Sequence, residues 1–461
     1  MKKLVSMALV GAMAFSLLAC GSNKAPDSSG SSTSGGATES SETASETSEA
    51  ASVREGQTSE PITLTLWDIW PEGQPLNEPI NTYIEQYQTE HPNITIDRVS
   101  TQEVGYQNTK LKVAAADGSQ GDIFSCWGSG YAKTFVDAGA VLPLDEYYEK
   151  YGVNDQLLDG ATTYCTYNDK VYGLPLKQWA GVLFCNKTIF DKYGLEIPVT
   201  FDDMLNCVKV FRENGVTPMV LGAKDGWHIG MIQNALAVRT AGADYMNKAL
   251  AGEATLDTPE IAKSAELLQE LNNAGAFPEG TLGISSDEAE EEFYSGLVPM
   301  FYGGSWVAQS VDLEDNACSQ DEIVVTTMPT VEGGLGDETQ YSGGVIDFLM
   351  INSKTEHPEE AFDFALGLTK FLSTEAYILG DSLPCWKDID TGDAEISPTL
   401  IEVQKLIQNS TGYVLAWDTF LEGSAIDEHY NLLQGLIEGT VTPEEFASGM
   451  QKAQEESKSG T

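Results

Sequence analysis

Asp169-Lys-Val-Tyr-Gly-Leu-Pro175-Leu-Lys-Gln-Trp179-Ala-Gly-Val-Leu-Phe-Cys185-Asn-Lys-Thr-Ile-Phe190, continuing from Asp191 to Leu205, is the stretch on which the fold turns. Residues 170–174 form a short extended run that Pro175 should stop, because proline neither continues a helix nor donates to a ladder. Residues 182–185 are a second apolar run, short enough for a buried strand. Pro198-Val-Thr200 before Phe201-Asp-Asp-Met-Leu205 predicts a helix start, with Thr200 as cap and Asp202 and Asp203 in the positive first turn. The order is strand, break, strand, turn, helix, with Trp179 in the break.

Outward from this stretch the chain reads as alternating strands and helices. Residues 62–67 alternate as a strand whose end delivers Asp68, Trp70 and Glu72 into a Pro/Gly loop. Ile80, Tyr83, Ile84 and Tyr87 repeat at helical spacing until His91-Pro92, and residues 94–99 form the next strand. That order implies parallel strands joined by a crossover helix. Residues 110–116 predict a helix, and Gly121-Asp122-Ile-Phe-Ser-Cys-Trp127 a strand with Trp127 at its exit. Further on, residues 215–222 read as a strand, 230–240 and 258–271 as helices, 341–351 as a strand and 358–372 as a helix. Leu383-Pro-Cys-Trp386 follows, then helical sequence carrying Trp417 and a final amphipathic helix over 442–455.

The central stretch resembles the middle of the family 1 extracellular solute-binding proteins, the sugar-binding components of ABC importers. The family phrase (N/D)-(G/D)-K-x-Y-G-x-P is matched by Asn168-Asp169-Lys170-Val-Tyr172-Gly173-Leu-Pro175, its strand-end N-K by Asn186-Lys187, and its F-x-K-x-G-L-x-x-P-x-T-F-x-(D/E)-x-L by Phe190 through Leu205. Phe293 to Trp306 is similar to the F-x-x-G-x-x-A-M…G-x-W segment, with Pro299 where alanine is usual. The resemblance spans about residues 61–455. It implies a type II periplasmic-binding-protein-like α/β fold: two α/β lobes joined by three crossover segments, with a ligand cleft between them. The expected divisions are a leader at 1–20, a tether at 21–60, lobe one at 61–173 and 326–378, lobe two at 174–325 and 379–455, and a tail at 456–461.

Lys2 and Lys3, an apolar run to Leu18, and Leu17-Leu-Ala-Cys20-Gly21 resemble a bacterial lipoprotein leader, with Cys20 as the lipidated residue. Residues 21–60 are rich in Ser, Thr, Gly, Glu and Ala and hold no aromatic residue, so they should form a disordered tether with a reach of roughly 35 Å. This implies an extracytoplasmic protein anchored to the outer face of the cell membrane, a monomer that hands its ligand to ABC permease subunits. Six of the seven cysteines lie beyond Cys20, none in a C-x-x-C pair. They are expected mostly as reduced, buried thiols.

The net charge of −45 argues against nucleic acid and anionic membrane as partners. The four histidines are dispersed, and metalloprotease, nucleophile-elbow and P-loop motifs are missing, so neither metal, cofactor nor catalytic residue is expected. Trp70, Trp127, Trp179, Trp227, Trp306 and Trp417 instead sit at element ends or in loops. Ligands of α/β sheets bind outside strand carboxyl ends. A flat indole there covers the apolar face of a pyranose while carboxylates and amides hold its hydroxyls. The resemblance to maltose-binding members of the class favours Trp127, Trp306 and Trp417. The expected ligand set is Asp68, Trp70, Glu72, Asp122, Trp127, Trp179, Trp227, Trp306, Asp347, Trp386 and Trp417. The expected function is carbohydrate capture by cleft closure. A cationic solute such as a polyamine, caged by aromatics and carboxylates, is the alternative. A surface glycosidase is the more distant one.

Overall fold

The computed structural model describes residues 60–102, 105–421 and 424–459. The leader, Cys20 and the tether up to residue 59 lie outside the described residues. Ten strands build the body: β1 (Ile62–Asp68), β2 (Ile94–Ser100), β3 (Ile123–Trp127), a small β4 (Thr166–Tyr167) and β5 (Lys170–Val171) hairpin, β6 (Gly173–Asn186), β7 (Met300–Gly304), β8 (Ile323–Thr326), β9 (Gln340–Ile351) and β10 (Gly412–Val414). The main sheet runs β2-β1-β3-β9-β6-β7, with β10 added to β9 and β8 to β6. As the strand–helix–strand pattern requires, β1 is parallel to both β2 and β3. β9 then runs antiparallel to β3 on one side and to β6 on the other.

Two large hydrophobic cores flank the long β6–β9 pair, and a third, smaller one gathers Val182, Phe184, Phe293 and Phe301 with Tyr341, Leu383 and Leu400. Of the large two, one gathers Leu64, Ile80, Phe124 and Tyr148 with Leu174, Leu176, Val345, Phe362 and Trp386. The other gathers Leu183, Phe211, Ile232 and Leu268 with Met328, Trp417, Leu433 and Phe446. The chain crosses between them three times: along β6, along β9, and through residues 379–386, where Leu383 bridges Gln178 and Trp386 bridges Leu157. Residues 327–339 pack against the second core's helix Trp227–Ala241, with Arg239 holding the Met328 and Gln340 carbonyls.

β6 departs from expectation. Pro175 does not break it; a single strand runs from Gly173 through Trp179 to Asn186. Register shifts flank Lys177, between Pro175 and Lys177 and again between Lys177 and Gln178, so the proline sits at an irregularity where a missing ladder donor is tolerated. Its carbonyl accepts from Trp386 Nε1 at 2.9 Å. Residues 215–222 are not a strand either, since Pro218 leaves only a single bridge from Met219 to Met300. Around Trp417 the helical expectation gives way to β10 and a short 3-10 turn, Trp417–Phe420. The helix after Pro198 forms as Phe201–Glu213, with Thr200 and Asp203 making a reciprocal capping box. All six described cysteines are free and buried, and burial pushes their thiols up, Cys385 to about 12.

Candidate functional site

The parallel strands β1 and β3 end side by side, and what they deliver faces β9 and the irregular part of β6. Trp127 closes β3 directly across from Asp347 on β9. Asp347 in turn pairs with Lys177 on β6. The bulge at Lys177 aims its side chain at two carboxylates, with Nζ 2.6 Å from Asp381 and 4.0 Å from Asp347. Nζ also stands 5.9 Å from the Trp70 ring centroid, within cation–π range. Lys177, Asp347 and Asp381 come from the first, second and third crossing segments respectively. With Ile69, Trp70, Gln74, Pro75 and Gln102 they line a cavity of about 380 Å³.

The loop presenting Trp70 is built from its own strand end. Asp68 is only 1 % exposed, and its carboxylate accepts from Arg98 Nε at 2.6 Å, Arg98 Nη2 at 3.1 Å, the Trp70 amide at 2.9 Å, and Ser100. The Trp70 carbonyl accepts from Arg98 Nη2 at 2.8 Å and Asn77 Nδ2 at 2.7 Å. Asp68 is thus committed to the scaffold; it fixes Trp70 rather than reaching into the cavity.

A second aromatic group stands on the other core. Trp306 lies 5.8 Å from Trp179 and 6.3 Å from Trp227, centroid to centroid, and all three rings are half-buried against that core. Gly304 lies under the Trp306 ring, and a Cβ there would come within 2.0 Å of it. Trp306 Nε1 donates to Glu290 Oε1 at 3.1 Å, and Tyr294 donates to Glu290 Oε2 at 3.2 Å. Burial raises the Glu290 carboxyl above its ordinary value, against the pull of those two donors.

The remaining expected ligand residues go elsewhere. Trp417 is fully buried, stacked 6.0 Å from His429 and 6.1 Å from Phe446, and is a core residue. Trp386 is 3 % exposed and ties the third crossing to the first through the Pro175 carbonyl. Asp122 sits at the amino end of β3, roughly 16 Å along the strand from Trp127. There it accepts from the Thr65 amide at 2.8 Å and the Thr65 hydroxyl at 2.7 Å. Burial alone would raise its pKa, but its hydrogen bonds, led by the Thr65 amide, outweigh burial and hold the carboxyl below its usual value. Glu72 is exposed in the turn beyond Trp70. Sequence reading missed Lys177, Asp381, Gln102 and Glu290. The one signal for Lys177 was its place in the stretch read as a break.

Comparison with known proteins agrees with this architecture. Residues 70–377 match the family model described as bacterial extracellular solute-binding protein. The chain is 24% identical over 356 residues to an uncharacterized ABC transporter extracellular-binding protein of Pyrococcus horikoshii, covering 75% of this chain and 78% of that one. It is 26% identical over 321 residues to a multiple sugar-binding protein of Streptococcus mutans, covering 65% and 70%. A solved structure from work on xylan utilization by the thermophilic bacterium Caldanaerobius polysaccharolyticus superposes with a TM-score of 0.76 at 37% identity, covering 85% of this chain and 99% of that one. A chitin oligosaccharide binding protein shares the fold at a TM-score of 0.76 and 24% identity, over 87% and 100% of the two chains.

Proposed function

The chain belongs to the bacterial extracellular solute-binding proteins, and from that premise we propose that it captures a neutral oligosaccharide in the cleft and presents it to an ABC permease. The observation that carries this reading is a cavity lined by an indole and three charged side chains where the crossing segments meet. Trp70, only 6 % exposed and part of the first core, lines that cavity with Lys177, Asp347 and Asp381; Trp127 stands across from Asp347, while Trp179, Trp227 and Trp306 pack together on the second core. Indoles supply stacking faces for sugar rings, and the charged trio supplies donors and acceptors for hydroxyls. A cavity of about 380 Å³ falls within the range of small-molecule sites. The lobes are taken as 61–172 with 352–378 and 187–339 with 387–453, joined by β6, β9 and residues 379–386. Closure about the three crossings would bury the ligand, the closed population being set by differential affinity.

A lysine in the cavity disfavours a polyamine, because a cationic ligand would meet Lys177 instead of bare carboxylates. The likeness to a protein from xylan utilization makes xylo-oligosaccharides the first probe, with chito-oligosaccharides second. Thermal shift and calorimetry against both, and against spermidine, at low and high salt test the reading. A sugar at about a hundred times its Kd should stabilise the protein by about 2.7 kcal/mol, with little salt dependence. Stabilisation by spermidine alone, fading with salt, would replace the sugar reading with the cationic one. The ligand should be returned intact; catalytic cleavage would make the protein a glycosidase.

The anchor is also a proposal: Cys20 carries lipid on the extracytoplasmic face, the protein acting as a tethered monomer. Cys20→Ser should abolish incorporation of labelled fatty acid and release soluble protein, and equal labelling of the mutant would sink it.

A further inference from the structure

Stacking requires that the platform ring hold one orientation before ligand arrives, since ordering it on binding subtracts from affinity. Trp306 is placed by apolar contacts on three sides: Gly304 beneath, Trp179 and Trp227 at tilts of 55° and 58°. Those contacts fix where the ring lies but not which edge faces inward, because the χ2 torsion at an sp³–sp² bond is broad and roughly two-fold. A half-buried indole N–H needs an acceptor. The acceptor present is Glu290 Oε1, on the helix Ser286–Tyr294. Glu290 is itself steadied by Tyr294 one turn along the same helix.

We propose that Glu290 is a positioning residue of the ligand site, acting through Trp306 to hold the indole edge-on to the helix and its face toward the cleft. This rests on the reading of Trp306 as a ligand-facing ring. A carboxylate is a curious choice for a merely structural role at that place. Its burial disfavours the charged form, and Asp287 and Glu291 on the same helix add like charge. An apolar residue of the same length would pack there at less cost in desolvation. What it would lose is the charge-assisted hydrogen bond to Nε1, which is stronger than a neutral one and fixes direction. Stability and affinity should therefore part company when Glu290 is changed.

The test compares Glu290→Met, Glu290→Gln and Trp306→Ala with wild type, using xylo-oligosaccharides as the calorimetric probe, or chito-oligosaccharides if these give the larger thermal shift. E290M should weaken binding about tenfold while its melting temperature stays level or rises, and its indole emission should shift. E290Q, which keeps an acceptor for Nε1, should recover most of the lost affinity and the native emission. W306A separates the two readings. If W306A binds like wild type, the platform itself is wrong. If W306A is weak but E290M is normal, only the role of Glu290 is overturned. Equal loss in E290M and E290Q, or a fall in affinity and melting temperature together, also overturns positioning. Should E290M not fold, Tyr294→Phe takes its place: unchanged emission and affinity there reject the proposal, and a shift in both supports it.

Discussion

Arg239→Ala should remove about 3–5 kcal/mol of folding stability, read as a lowered midpoint in urea unfolding. The guanidinium is 1 % exposed on the helix Trp227–Ala241. It donates from Nε to the Met328 carbonyl at 2.7 Å, from Nη1 to the Gln340 carbonyl at 2.7 Å, and from Nη2 to the Thr327 hydroxyl. These acceptors lie on the segment that enters β9, the second crossing. The backbone of the same helix end holds this segment too, through Gly336 N to Arg239 O at 3.0 Å and Leu335 N to Thr240 O at 3.2 Å. Alanine would orphan two carbonyls and a hydroxyl, each costing about 1–3 kcal/mol if left dry, and would open a void. Relief of a desolvated charge offsets part of this; burial already lowers the guanidinium's pKa. Arg239→Met, which keeps the stem, should fall between alanine and wild type. A loss under about 1 kcal/mol in R239A would mean that water enters and satisfies the acceptors.

Much of this architecture could be read from local sequence. The β1–β2 unit announced itself through alternation, a helical repeat and His91-Pro92, and the paired strands are parallel over seven residues. Thr200 declared itself as a cap from its place before Phe201, and the structure adds Asp203, three residues on, as its reciprocal partner. Pro175 misled because a lone proline in an apolar run looks the same whether it ends a strand or occupies a bulge. Only the register against β9 distinguishes them. The tryptophans divide in the same way. A strand end touches both cleft and core, so Trp127 and Trp417 look alike in sequence, yet one is half-buried beside Asp347 and the other is sealed between His429 and Phe446. Asp381 was out of reach altogether, since its partner Lys177 lies 204 residues earlier. No periodicity encodes an ion pair between two crossing segments.

That ion pair carries the last expected result. Lys177→Met should weaken oligosaccharide binding by about two orders of magnitude, or roughly 2.7 kcal/mol, while leaving the protein folded. The side chains of Lys177, Asp381 and Asp347 are 18%, 20% and 13% exposed, so water partly screens them and the trio contributes modestly to stability. On the proposed reading the same groups would hydrogen-bond the ligand, and hydrogen bonds to charged donors are worth about 1.5–3 kcal/mol. Methionine keeps the stem's length but removes the donor and the cation facing the Trp70 ring. It also leaves Asp347 and Asp381 without their shared cation, one on the second crossing and one on the third. Like charge there should push the crossings apart and add a salt-dependent cost to closure, so the mutant's binding should improve with added salt where the wild type's hardly changes. Adding Asp381→Asn to K177M should restore part of the affinity by removing that repulsion, and the double-mutant cycle measures the coupling. Calorimetry of the four proteins at two salt concentrations reads all of this. Wild-type affinity in K177M would place the ligand away from this cavity and reduce the trio to a tie between crossing segments.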